Sequence, residues 1–275
     1  DDGTATAGPV DPVTPDDGDA PDPSGEVELR VPTAADPLRA YAGGDSLSVF
    51  PSRELQRIGQ VTGLLNVEPD SVGNSGLTRP DFFNWPQHLV DDVVPDDPEL
   101  VVLFFGGNDS QGIRTADGQV CDRFTVCWIE EYERRVAGTM DLLRDPAADR
   151  LVVWLGVPIT GTNGFAAPDI LNGIYASAAS TRPWVVYLDT WNLFADGDGV
   201  YAARLPDASG VPRVVRASDD IHFTTDGGSW IAWEVWAELA ERVDVSAWLG
   251  TPPAGERAPP VERRPDPPRP SGPPG

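Results

Sequence analysis

One serine, two histidines and a few glycine-flanked polar clusters carry most of the reactive chemistry in this chain. Ser46 lies in Gly43-Gly44-Asp45-Ser46-Leu47-Ser48, the pattern of a tight strand-to-helix turn. At such a turn a hydroxyl can project into a cleft, and its own N–H lies near a helix N-terminus that favours developing negative charge. A serine hydroxyl is a feeble nucleophile until a base takes its proton. His222, in Asp219-Asp220-Ile221-His222, has a carboxylate three residues earlier. Asp219 can accept the second imidazole N–H and hold the ring in one tautomer, and Asp220 is its rival for that role. Gly76, in Asn74-Ser75-Gly76-Leu77-Thr78, and Asn108, in Gly106-Gly107-Asn108-Asp109, offer N–H donors for an oxyanion. The combined chemistry is acyl transfer through Ser46. Each piece also has a plain structural role open to it. Asp45 or Ser46 can cap a helix, Gly76 can serve a turn, Asn108 or Asp109 an Asx turn, and His222 can be a buried, hydrogen-bonded side chain.

The elements that must position these residues read as alternating strands and helices. Leu38–Gly43, Leu64–Val72, Leu100–Phe105, Leu151–Val157 and Trp184–Leu188 are the strand segments. The run LVVLFF is continuously apolar, as expected of a strand covered on both faces. Ser46–Gly63, Asp81–Val94, Trp128–Leu143 and Thr225–Val243 are predicted helices. This order predicts an α/β fold with a parallel sheet between two helical layers, and ligands in such folds bind at the carboxyl ends of the strands. All four polar clusters fall at or near those ends. His88, inside a predicted helix, reads as structural and lacks an obvious partner nearby.

With the four blocks in view, the chain resembles the SGNH/GDSL hydrolase family. Gly44-Asp45-Ser46-Leu47, Ser75-Gly76-Leu77-Thr78, Gly106-Gly107-Asn108-Asp109 and Asp219-Asp220-Ile221-His222 match the family's blocks in order, across roughly residues 36–245. Arg79-Pro80-Asp81-Phe82-Phe83-Asn84-Trp85 and Asn108-Asp109-Ser110-Gln111 are similar to a bacterial envelope-associated branch. The resemblance implies a three-layer α/β/α sandwich around a five-stranded parallel sheet. It implies Ser46 as nucleophile, His222 as base and Asp219 as its orienting carboxylate. The oxyanion hole would combine the N–H groups of Ser46 and Gly76 with the Asn108 side-chain amide. It further implies an esterase needing no metal or other cofactor, acting on short acyl, above all O-acetyl, esters of carbohydrate. A transferase moving the acyl group to a glycan hydroxyl, and a non-catalytic surface binding module, are the alternatives. Asp45, Gln111, Trp85 and Trp154 are candidate substrate contacts. Phe83 and Trp191 join the two tryptophans as candidates for a sugar-stacking surface, with core packing the other role open to all four aromatics. The G-x-S-x-G elbow of ordinary α/β-hydrolases is absent, because the serine after Leu47 replaces the second glycine.

Composition narrows the partners. The chain has 275 residues with 20 basic against 44 acidic side chains and a net charge of −24. Every basic residue is arginine, which excludes a Schiff-base lysine and a P-loop lysine. So acidic a surface repels nucleic acid and anionic membranes, and no apolar run is long enough for a membrane helix. GC-rich coding accounts for the missing lysine, and adaptation to salt is a second reading of the acidity. Residues 1–35 form an acidic, Pro- and Asp-rich tail and residues 250–275 a Pro-rich one, both too polar to fold, around a domain spanning residues 36–249. A start at Asp1 suggests a processed chain. Cys121 and Cys127 read as a local disulfide or as two free thiols, lying in a stretch that either borders the cleft or forms a stapled surface loop. A disulfide points to a secreted or envelope-associated protein.

Overall fold

The computed structural model describes residues 27–145, 149–161 and 167–247. Of the predicted tails, residues 1–26 and 250–275 lie outside these residues. Residues 27–35 do not belong to an unfolded tail: Val27 and Leu29 pack on the core and Arg30 pairs with Glu99. Five parallel strands, β1 (Leu38–Gly44), β2 (Leu65–Ser71), β3 (Leu100–Phe104), β6 (Leu151–Leu155) and β7 (Val185–Leu188), form one sheet in the order β2-β1-β3-β6-β7. The short hairpins β4 (Ile113–Arg114) with β5 (Val120–Cys121), and β8 (Arg204–Pro206) with β9 (Pro212–Val214), stand apart from it. Helices α1 (Val49–Thr62) and α5 (Thr225–Ala240) pack on each other over one face. Helices α3 (Val126–Leu142) and α4 (Pro168–Ala179) cover the other, beside the single turn α2 (Trp85–His88). The result is the expected three-layer α/β/α sandwich, with one apolar cluster on each side of the sheet.

Burial follows strand position. Every residue of β3 and β6 is buried, because helices cover both faces of the sheet centre. On edge strand β2 the first four residues alternate buried and exposed. The chain runs from β1 to β2 on one side, then returns to lay β3 on the other side of β1. That reversal is the switch point at which such sheets open a crevice. Gly44 at the end of β1 pairs with Phe104 at the end of β3. Any Cβ on Gly44, at φ +144°, would stand 2.0 Å from the Phe104 carbonyl oxygen, so glycine is required for the loops to meet here.

Most predicted boundaries hold within a few residues, and the differences have local causes. The helix expected from Ser46 opens as a 3-10 turn, Ser46–Ser48, before α1, and left-handed Gly63 ends it. Thr125 caps α3 through Trp128 N–H, so the helix begins at Val126, two residues before the expected start. The segment Asp81–Val94 is not one helix. Residues 79–83 turn on the Arg79 carbonyl, Asn84 caps α2, and the path continues as a π turn (Leu89–Val93) and a 3-10 turn (Val94–Asp96). Pro86, lacking an N–H, fits the first turn of α2 and fixes where it begins.

Candidate active site

The turn after β1 is set by Asp45. Its carboxylate is buried and accepts Leu47 N–H at 2.8 Å and Gly107 N–H at 2.6 Å. It therefore caps the 3-10 turn and binds the β1 loop to the β3 loop. Burial, aided by the charge of Asp109, pushes its carboxyl up to about 8 against the pull of these N–H bonds. Asp109 does the same between the β2 and β3 loops. It accepts Thr78 N–H at 2.9 Å and Thr78 Oγ1–H at 3.1 Å, and the Tyr132 hydroxyl at 2.8 Å. Burial raises its pKa as well, while these bonds lower it. A Cβ at Gly76 would stand 2.3 Å from Asp109 Oδ1, so only glycine fits beneath this lashing.

Across the crevice, Ser46 Oγ lies 2.8 Å from His222 Nε2, and His222 Nδ1 lies 2.7 Å from Asp219 Oδ2. With Nδ1–H donated to a carboxylate, Nε2 is free to accept the serine proton. Asp219 Oδ1 accepts the N–H groups of Ile221 and His222 at 2.9 Å each. Burial raises the Asp219 carboxyl, but the bonds from His222 and Ile221 outweigh it and bring the group down to about 2. Asp220, the rival, turns to another partner: its carboxylate accepts the Tyr201 hydroxyl at 2.8 Å, on a left-handed residue at φ 60°. Thr224 then caps α5, closing the histidine loop onto the helix.

Arg216 braces that loop from behind. It is buried between the rings of Phe194 and Phe223, with its guanidinium carbon 4.4 Å from each centroid. It donates to the carbonyls of Ile221 and Ile159 at 2.5 Å each, tying the histidine loop to the chain after β6. Burial pulls this guanidinium down to about 9. On the other side, Asn108 Nδ2 donates to the Ser75 carbonyl at 3.0 Å, leaving its second N–H for another acceptor. Gly76 directly follows that carbonyl, so two expected donors converge on one corner. The residues expected from four separate blocks, Ser46, Gly76, Asn108, Asp219 and His222, thus gather at the switch point.

Three candidate substrate contacts are corrected. Asp45 is wholly buried with its oxygens taken by backbone N–H groups. Trp85 is buried, donating Nε1–H to Ser75 Oγ at 2.8 Å, and Trp154 is buried among Phe105 and Tyr175. Phe83 and Trp191 keep part of their surface exposed. Gln111 remains accessible, donating Nε2–H to the Asn108 carbonyl at 2.7 Å. His88 also needs correction, for it has two partners: Nε2 lies 2.7 Å from Asp70 and Nδ1 2.8 Å from Asp92. The i,i+4 spacing to Asp92 was visible in the sequence; the contact to Asp70, across from β2, was not. Cys121 and Cys127 form a disulfide with Cα atoms 5.7 Å apart, pinning β5 to α3. Sequence reasoning missed the lashing by Asp45 and Asp109 and the brace by Arg216. For the two acids, a carboxylate set among glycines at a strand end was the available signal. Among the described residues, no cluster of His, Cys, Asp or Glu could hold a metal ion, and no helix is long and apolar enough to cross a membrane.

Residues 39–238 match the model of a family described as "Protein of unknown function (DUF459)". The chain belongs to that family. No curated protein sequence matches the DUF459 chain significantly. Its fold is that of the SGNH/GDSL hydrolases. A lipase/acylhydrolase from Enterococcus faecalis aligns over 75% of the DUF459 chain and 97% of its own, at 13% identity and a TM-score of 0.53. The acetyl xylan esterase AlAXEase covers 74% and 100%, at 15% identity and a TM-score of 0.51. The α/β hydrolase LAE5, from the metagenome of Lake Arreo in Spain, covers 75% and 96%, at 14% identity and a TM-score of 0.52.

Proposed function

We propose that the protein is a serine esterase that removes short acyl groups, acetyl foremost, from carbohydrate outside the cytoplasm. The observation that carries this reading is the continuous line Ser46 Oγ–His222 Nε2, His222 Nδ1–Asp219 Oδ2, at 2.8 and 2.7 Å. Ser46 Oγ attacks the ester carbonyl carbon as its proton passes to His222 Nε2. The carbonyl oxygen becomes an oxyanion received by the N–H groups of Ser46 and Gly76 and by Asn108 Nδ2. Collapse breaks the bond to the alcohol oxygen, which takes the proton from His222. Water, deprotonated by the same imidazole, then releases the acid from the acyl-enzyme. Asp219 keeps the ring in the tautomer each step requires.

The fold shared with an acetyl xylan esterase and an acylhydrolase supports an ester substrate. The Cys121–Cys127 disulfide supports an oxidising compartment. Labelling with a fluorophosphonate, followed by peptide mass spectrometry, tests the reading without a guess at substrate. Modification of Ser46 in the natural protein and its loss in His222→Ala are expected. A folded protein that labels equally well without His222, or not at all, would overturn the proposed mechanism.

A further inference from the structure

The loops that carry Gly76 and Asn108 continue into a groove of about 920 Å³ that the mechanism above does not use. Its floor and rim run from Gly76 and Gln111 past the β4–β5 hairpin to the outer face of α3. The charge of this groove is opposite to that of the chain. Over the whole sequence acids outnumber bases 44 to 20, yet the groove is lined by Arg79, Arg114, Arg134 and Arg135 against only Asp81 and Glu131. Arg135 is largely buried and structural, holding Glu131 and the carbonyls of Leu77 and Thr78. Arg134 also pairs with Glu131 but remains 65% exposed. Arg79 forks Asp81 through Nε and Nη2 at 2.8 Å each and touches Gln111 at 3.4 Å. Arg114 has one N–H on the Gly118 carbonyl. The disulfide holds β5, and so the hairpin that presents Arg114, against α3.

Arg79 stands three residues after Gly76, and its neighbour Gln111 is hydrogen-bonded to the Asn108 backbone. Gly76, Arg79 and Gln111 line the same groove, so groups adjoining an ester held at Gly76 can extend along it towards Arg79. The fork from Arg79 to Asp81 is the geometry a guanidinium makes with a carboxylate ligand. Asp81 is 68% exposed, so a carboxylate from outside can take its place by turning one surface side chain away. We propose that this groove binds the sugar chain that carries the ester, and that the chain is an acidic one whose carboxylates are read by Arg79 and Arg114. The partly exposed ring of Phe83 offers a face for the sugar beside them. This proposal rests on the esterase reading only for its link to turnover; binding itself does not require Ser46.

Two measurements on the full chain separate the claims. In calorimetric titrations, tri-galacturonic acid is expected to bind more tightly than neutral galactotriose, with a preference that weakens as salt rises. Arg79→Gln with Arg114→Gln should weaken tri-galacturonate binding about tenfold, and Asp81→Asn should strengthen it. Arg53→Gln, on exposed α1 surface, removes the same charge elsewhere and should change nothing. In turnover assays, acetate release from O-acetylated galacturonan relative to O-acetylated galactan should fall about tenfold in the double variant. Equal binding of acidic and neutral sugars, or equal losses in the double variant and Arg53→Gln, would overturn the groove assignment. Charge-dependent binding without turnover or Ser46 labelling would uphold the groove and sink the esterase. Labelling and turnover with no acidic preference would do the reverse.

Discussion

The protein contains two histidines, and each touches a carboxylate, yet only one also faces a serine hydroxyl. His222 has Asp219 on Nδ1 and the Ser46 hydroxyl on Nε2. His88 has carboxylates on both ring nitrogens, Asp92 and Asp70, with the Tyr41 hydroxyl also on Asp70 at 2.9 Å. An imidazole with a carboxylate at each nitrogen has no hydroxyl in reach whose proton it could take. One between an acid and an alcohol keeps an accepting nitrogen. Position adds to the difference. His222 hangs over the carboxyl ends of β1 and β3, where loops converge. His88 lies beside edge strand β2, packed edge-on against Phe83 and Trp85. A histidine–carboxylate contact alone therefore says little about catalysis; what faces the other nitrogen decides.

The widest separation of the two sites should come from deleting each imidazole. His222→Ala is expected to lower ester turnover by at least ~10⁴-fold while the protein stays folded. His88→Gln should leave turnover within about threefold and instead lower the unfolding midpoint, since it strands part of a half-buried hydrogen-bond network. A His88 variant as inactive as the His222 variant would remove the distinction. Next come the carboxylates. Asp219→Asn should cost about 10³- to 10⁴-fold in kcat by favouring the wrong tautomer, whereas Asp220→Asn should cost less than about tenfold. Comparable losses in both would restore Asp220 as the orienter. Asn108→Ala should slow turnover by about 100-fold or more, corresponding to ~3–4 kcal/mol for one oxyanion donor.

The smallest effects are in stability against pH. Asp219, lowered to about 2, favours the folded state above its unfolded value near 3.8, and that contribution is lost as pH falls through about 2. Asp45 runs the other way. Raised to about 8 chiefly by burial, it stabilises most below pH 3.8, and its contribution declines as pH climbs towards about 8. Thermal unfolding should thus give a lower midpoint at pH 8 than at pH 5, with a weaker slope in Asp45→Asn. An unchanged slope in that variant would mean that another group carries the dependence.

The clusters around Ser46, Gly76, Asn108 and His222 were legible because tight turns at strand ends need particular residue types, and those types stand in short, local patterns. The strands were legible for the same local reason: LVVLF can only be buried on both sides. The turn at Asp81–Asn84 was not, because Phe82, Phe83 and Trp85 mimic a helical stripe while Pro86 sets the true start. The burial of Trp85 and Trp154 was equally hidden, since an aromatic ring suits a sugar face and a core alike until its neighbours are known.

What the sequence determined by itself is the set of short-range interactions. These are the periodicity of the five strands, the Thr125 and Thr224 caps, the Asp219–His222 spacing and the close cysteine pair. Tertiary structure alone decided which serine meets which histidine, 176 residues apart in the chain. It also turned Asp219 rather than Asp220 to His222, buried Asp45 and Asp109 as ties between loops, and gathered four arginines from three places into one groove on an acidic protein. Local patterns are set by backbone geometry within a turn or two of chain. Partners distant in sequence meet only because strand order, and the burial that fixes it, brings their loops to the same end of the sheet.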